Sequence, residues 1–264
     1  MEHEGLIRLG VFASLFALFA VLETLAPRRR RVQGRRRRWL TNWAIAALNT
    51  VTLRLMALAL PLLAVGAALD ASRLGWGLFN RVELWPWAET LLAILIFDLA
   101  IWAQHLVTHK VPLLWRLHRV HHTDRDFDVT TAIRFHPVEI ALSMLLKIAL
   151  VYALGPSALA VILFEILLNG TAMFNHANLA LPRRLDAALR LVMVTPDMHR
   201  VHHSVHRAEH DSNYGFALSL WDRLFGTYVA QPEAGHEGMT IGLGWQDDRP
   251  ARLGWSLSLP FRKK

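Results

Sequence analysis

The 264-residue sequence contains no cysteine. That absence removes disulfides, iron–sulfur clusters and thiolate metal sites together. No GxGxxG turn is present to cradle a dinucleotide, no HExxH pair to hold a protease zinc, and no CxxCH to attach haem. Acidic residues are also few, 21 Asp and Glu against 29 Lys and Arg, which leaves a formal charge of +8. A basic balance of that kind can mark nucleic-acid binding. Here, however, eight arginines stand in the single run RRRRVQGRRRR at 28–38. Flanking an apolar segment, such a run directs membrane topology and attracts anionic lipid, so no nucleic-acid partner is expected.

Charge is missing from long stretches. Residues 9–22 carry none, residues 39–69 carry only Arg54, and residues 148–164 are uncharged around Gly155-Pro156. Since a bilayer span takes about 20 mostly apolar residues, helices are expected near 5–26, 40–69, 86–109, 139–154 and 157–176. The last two are short for spans and read as a hairpin entering and leaving on one side. The first apolar run precedes its arginines, an order that suits a retained anchor rather than a cleaved signal.

The expected fold is therefore all-α: an integral membrane bundle of four to five helices, with a cytoplasmic helical cap. No linker or low-complexity tract divides the chain, so residues 1–264 read as one domain. The positive-inside rule puts the N-terminus outside, the loop 70–85 outside, and the segments from His105 onward on the cytoplasmic face, the hairpin excepted. A bacterial inner membrane suits this layout.

Histidine is what the sequence has in plenty. Twelve of its 14 histidines fall between residues 105 and 210. His105 and His109 are four apart and share a helical face, with Asp98 two turns earlier on it. An acid at that depth should point inward to a partner. The pentapeptide HRVHH then occurs twice, placing His118, His121 and His122, and again His199, His202 and His203, at i, i+3 and i+4. Several imidazoles on one face can serve one metal or two neighbouring ones. Imidazole suits iron, zinc, copper and nickel, and eight ligands exceed the three or four of a single zinc site. Two ions with four or five nitrogens each would fit.

HLVTH at 105–109 and the two HRVHH copies stand in a setting of RFHPVE (134–139), NHANL (175–179), PDMHRVHHS (196–204), DSNYG (211–215) and WDRLFGTY (221–228). Over about residues 90–230 this pattern resembles the histidine-box region of the fatty acid hydroxylase and sterol desaturase superfamily, in its bacterial branch. The resemblance implies a membrane non-haem di-iron oxygenase that uses O2 and two electrons to hydroxylate a C–H bond of a lipid, such as a sterol or fatty acyl chain. It carries over His105, His109, His118, His121, His122, His199, His202 and His203 as metal ligands for two iron ions. His176 of NHANL matches a further family histidine. Asp98, His136, Asn178, Asp197 and Asn213 are expected to orient the ligand rings or to play a structural part.

His206 and His210 are expected to be solvated neighbours, and WDRLFGTY to pack the cap or dip into the membrane interface. With no donor motif visible, the electrons would come from a separate ferredoxin- or cytochrome-type protein. Arg116, Arg119, Arg183, Arg184, Arg200 and Arg207 are candidates to steer it, although ordinary positive-inside and interfacial charge is the favoured explanation of them. Desaturation and ether-lipid cleavage remain alternatives on the same metals. A non-enzymatic metal-binding membrane protein is the alternative of another class.

Overall fold

The computed structural model describes residues 4–60 and 63–262. Helix α1 runs Glu4–Leu25. After the arginine run, α2 covers Arg35–Ala59. It starts earlier than position 40, because Arg35 and Arg38 are good helix formers and both are held by acids. It also ends earlier, since Leu60 precedes Pro61 and a residue before proline is pushed out of the helical region. The helix expected over 40–69 is thus broken, and the chain resumes as α3, Ala64–Leu74. Residues 61–62 lie outside the described residues.

Helices α4, Pro86–Lys110, and α5, Pro112–His122, each begin with proline at the first turn, where its missing N–H costs nothing. Only Val111 separates them. A single 3-10 turn, Val129–Ile133, closed by an Asp128–Thr131 capping box, leads to α6, Pro137–Leu154. Then come α7, Ala158–His176, and two short helices, α8, Arg183–Leu189, and α9, Pro196–His202. Among the described residues no β-strand forms; isolated bridges such as Pro27 with Leu179 join loops instead.

Among the described residues, five segments are long and apolar enough to cross a membrane: Gly5–Leu25, Arg35–Leu74, Pro86–Lys110, Pro137–Leu154 and Ala158–His176. At 18 and 19 residues, α6 and α7 are about 27–29 Å long, close to the hydrocarbon thickness. Leu9, Val21, Leu55, Leu58, Leu91 and Leu145 stand exposed on the outer faces. In water that apolar surface would be a liability; against lipid tails it is the matching solvent.

The bundle core gathers the small face of α3 (Ala64, Ala67, Ala68) with Phe97, Ile101, Met144, Val161 and Phe164. Helix α4 packs chiefly on α7, and α3 packs on both α6 and α7, so the hairpin arms are splayed rather than paired. Its elbow is Gly155 at φ +66°, where a Cβ would stand 2.4 Å from the Trp76 carbonyl. Only glycine admits both that approach and that conformation.

The arginine run does more than mark topology. Arg38 is fully buried and binds Asp124 at 2.6 and 2.9 Å and Asp128 at 2.8 Å. Arg35 binds the buried Glu23 at 2.9 Å, and Arg28 reaches Asp197 at 3.2 Å. The run thereby ties α1 and α2 to the segments that carry the histidines.

Candidate metal centre

Helix geometry delivers the histidines from four directions. His105 and His109 come from the last turns of α4, His118, His121 and His122 from the end of α5, and His176 closes α7. His199 and His202 lie on α9, with His203 as its C-terminal cap. Thr195 starts α9 by accepting the Met198 N–H, and Pro196 occupies the first turn. All nine side chains are buried.

They fall into two groups. His105, His109, His118, His122 and His202 form one; His121, His176, His199 and His203 form the other. Within each group the nearest ring nitrogens lie within 4.8 Å of one another. The groups adjoin, with the rings of His121 and His122 5.4 Å apart between centroids.

Tautomers follow from the partners. The Nδ1–H of His105 donates to the Tyr214 carbonyl at 2.7 Å, that of His176 to Ala172 at 2.8 Å, and that of His202 to Ser212 at 2.6 Å. His118 Nδ1 donates to the Glu139 carboxylate at 2.6 Å. A carbonyl only accepts, so in the neutral rings of His105, His176 and His202 Nε2 carries a bare lone pair. Yet His105 Nε2 stands 3.0 Å from His118 Nε2. With His118 in the neutral form no proton would be left to join two such lone pairs, and a cation between them would relieve their repulsion. His176 Nε2 lies 3.1 Å from His121 Nε2 and 3.2 Å from His199 Nε2; the Nδ1 atoms of those two rings have no partner, so each Nε2 can donate to His176 in one tautomer or offer its lone pair to a metal in the other. Imidazoles bound at about 2.1 Å to one ion stand about 3.0 Å apart across a right angle, which is the spacing found. His109 and His203 leave both ring nitrogens buried without a hydrogen-bond partner, a costly state unless a metal takes the lone pair. The donor set fits metal ions in both groups.

The electrostatics agree. Burial, and then neighbouring imidazoles, push His121, His122, His199 and His203 well below the ordinary histidine range. Burial does the same to His202, with His105 adding to it. Neutral imidazole is the form that ligates.

The orienting partners are not those expected. Asp98 accepts from Leu218 N–H and Trp221 Nε1, fastening the cap to α4. His136 caps α6 by accepting the Val138 N–H. Asn178 binds the backbone of Arg29, Asp197 pairs with Arg28 and Arg200, and Asn213 bonds Met198 and Val229. Among the described residues, none of these five hydrogen-bonds a ring of the nine. Glu139 and three backbone carbonyls do so, with Asp211 3.5 Å from His109 Nδ1. Glu139 stood in the quoted RFHPVE stretch, and a lone acid at the start of an apolar helix was the signal. The carbonyls leave no mark on a sequence.

His206 is exposed as expected, whereas His210 is buried, its ring stacked on Trp115 and its Nδ1 3.1 Å from the Ser204 carbonyl. Arg119 and Arg200 are buried as well, donating to Leu259 and Asp197, and are withdrawn from any docking surface. WDRLFGTY packs the cap: Phe225 stacks on Trp102 at 4.6 Å. Asp222 accepts the Tyr214 and Gly215 N–H groups at 2.8 Å, which sets the carbonyl that holds His105.

A cavity of ≈ 360 Å³ opens beside the first group. His105 and His118 form part of its wall, with Phe135, Phe216, Ile101 and Met144 among its apolar lining.

Fold and site together define a membrane-embedded helical protein with paired imidazole clusters beside an apolar cavity. The chain belongs to the fatty acid hydroxylase family, whose model matches residues 90–227, just over half of its length. It is 30% identical over 174 residues to an alkylglycerol monooxygenase of Xenopus tropicalis, covering 62% of this chain and 36% of that one. An ornithine lipid hydroxylase of Rhizobium tropici is 29% identical, covering 57% and 45%. A cholesterol 25-hydroxylase of Rattus norvegicus is 27% identical, covering 56% and 49%. The chain thus spans about a third to a half of these curated relatives. No solved structure matches it significantly.

Proposed function

We propose that this protein is a membrane oxygenase holding one iron ion in each histidine group and hydroxylating a C–H bond of a lipid, with electrons from a separate ferredoxin- or cytochrome-type donor. The observation that carries the reading is the convergence of buried imidazole Nε2 atoms at 3.0–3.2 Å in two adjoining groups, one of them forming a cavity wall. The relatives named above are hydroxylases and monooxygenases of lipids, in keeping with it.

Bound iron would supply O2 reduction and oxidation of an unactivated C–H bond. The chain's own residues do the rest. Glu139 and the carbonyls of Ala172, Ser212 and Tyr214 hold the Nδ1 protons, so that four Nε2 lone pairs face inward. Phe135, stacked on His121 at 4.3 Å, and Phe216, 4.9 Å from His105, exclude water and give an apolar chain a surface beside the group. The same reaction on the carbon beside an ether oxygen would cleave an alkyl ether, so an alkylglycerol belongs in the substrate screen.

The test is iron content and Mössbauer spectroscopy on protein purified in mild detergent from iron-supplemented cells, followed by mass spectrometry of lipids incubated with a reductant. The expected result is two coupled irons per chain and a lipid gaining one oxygen atom. One zinc and no iron after anaerobic ferrous reconstitution would overturn the reading.

A further inference from the structure

The nine ligand rings are buried, so electrons from a separate donor must cross a layer of protein to reach them. Among the described residues, three half-buried aromatic rings touch these histidines: Phe135, Phe216 and Trp115. Phe135 and Phe216 line the cavity. Trp115, in the first turn of α5, is not part of that lining. Its ring lies 4.8 Å from His109, 5.3 Å from His122 and 6.2 Å from His118 between centroids, and stacks on His210 at 5.4 Å. A ring that served only to pack the histidines would be sealed like Phe127, which lies against His176 and His203 and is 3% exposed. One indole therefore reaches from the surface to three ligands of the first group.

The surface around Trp115 has an apolar centre and a basic rim. Val111 and Leu113 are exposed on either side of Pro112. Lys110 ends α4, Arg116 adjoins Trp115, and Arg207 opens the short helix that carries His210. Lys110 and Arg207 are exposed and share a single carboxylate, Asp211, at 3.0 and 3.4 Å. Arg116 donates to the Pro260 carbonyl. Glu209, in the turn with Arg207, is buried and accepts the Glu233 N–H. The face thus presents more positive than negative charge. It lies beyond the last turn of a membrane-length helix, within reach of a water-soluble protein. A charged rim speeds encounter, and a small apolar centre holds a complex only briefly, which suits a carrier that must leave after each delivery.

We propose that the α4–α5 elbow, with Trp115 at its centre and Lys110, Arg116 and Arg207 around it, is the docking face for an acidic one-electron carrier protein. Trp115 is the point where electrons enter the first histidine group. The assignment rests on the oxygenase reading and gives its donor a place. At each encounter the reduced carrier is oxidised by one electron and a ferric ion of the first group is reduced. Two encounters, with two protons from solvent, supply what hydroxylation by O2 requires.

The test uses an acidic plant-type ferredoxin and the full chain in mild detergent. Binding is measured by surface plasmon resonance on metal-free and iron-loaded chain across ionic strength. Reduction of the oxidised iron-loaded chain by reduced ferredoxin is followed by stopped flow. Association should slow as salt rises, and Lys110→Glu with Arg207→Glu should lower its rate about tenfold. Arg183→Glu with Arg184→Glu, a basic pair exposed on α8, should leave that rate within about twofold. Trp115→Leu should bind as well as the parent but be reduced several-fold more slowly, and Trp115→Phe should recover most of the rate. Absence of salt-dependent binding, or a larger effect from the α8 pair, would overturn the docking face. Unchanged reduction of Trp115→Leu would overturn the entry point. Should Trp115→Leu lose its fold by circular dichroism, the comparison of the two charge-reversed pairs decides. A chain that takes up no iron yet binds ferredoxin at this face loses the oxygenase reading and keeps the docking surface. An iron-loaded chain indifferent to the Lys110 and Arg207 reversals does the opposite.

Discussion

Within each HRVHH copy the three imidazoles do not serve one group. His118 and His122 enter the five-membered group while His121 enters the other; in the second copy His202 joins the first group and His199 and His203 the second. Residues at i, i+3 and i+4 share a face, but the face is wide enough to touch two centres, and each pentapeptide bridges them. The ring partners matter at the same scale. Glu139 carries charge to His118 Nδ1 at 2.6 Å and so strengthens its Nε2 as a donor. Glu139→Gln keeps the shape and a weaker hydrogen-bond acceptor. It is expected to lower metal affinity by about 10- to 100-fold, read by competition with a chelator; unchanged retention would show that Glu139 does not tune this ligand.

At the scale of elements, the chain places histidines at helix ends. Val111 lets α5 fold back from α4, so that His109 and His118 come to 5.0 Å between ring centroids. The α6–α7 elbow keeps its arms apart and leaves the cavity between them. Gly155 is the narrow point, since a Cβ there would meet Trp76 O and Asn80 Nδ2 at 2.4 Å, in a conformation that side chains resist. Gly155→Ala is expected to cost roughly 2 kcal/mol and to lower the melting temperature in detergent. An unaltered melt would mean that the elbow relaxes freely. The hairpin was readable from Gly155-Pro156. The break between α2 and α3 was signalled by Pro61, yet the uninterrupted apolar run masked it.

For the whole molecule, the decisive property is a set of neutral imidazoles sealed from water. His121, His122, His199, His202 and His203 are all held well below the ordinary range, first by burial. The unfolded chain takes up protons near pH 6.5 and the folded one refuses them. Their stabilisation is therefore present above about pH 6.5 and is lost as pH falls below it, each buried ring contributing up to about 1.4 kcal/mol per pH unit. Metal binding adds a dependence of the same sign, because protons compete for the same nitrogens. Melting temperature should fall steeply from about pH 7 to about pH 5.5, with and without metal. A flat profile for the metal-free protein would contradict the neutral cluster.

The sequence alone determined the helical class, the five apolar segments, the absence of thiolate chemistry and the nine histidines that come together. The class, the segments and the shared faces within each histidine box rest on composition or on neighbours within one helix, where a period of about 3.6 residues fixes which side chains share a face; that the boxes and His176 meet rested on the family resemblance. Only the tertiary structure decided the rest: five rings against four, His176 joining the second group, Glu139 rather than Asp98 beside a ring, and Arg8 and Lys147 meeting over Glu165. Those pairings join helices far apart in the chain. Their partners are chosen by how α1, α4, α5, α6, α7 and α9 pack, and no local spacing records that packing.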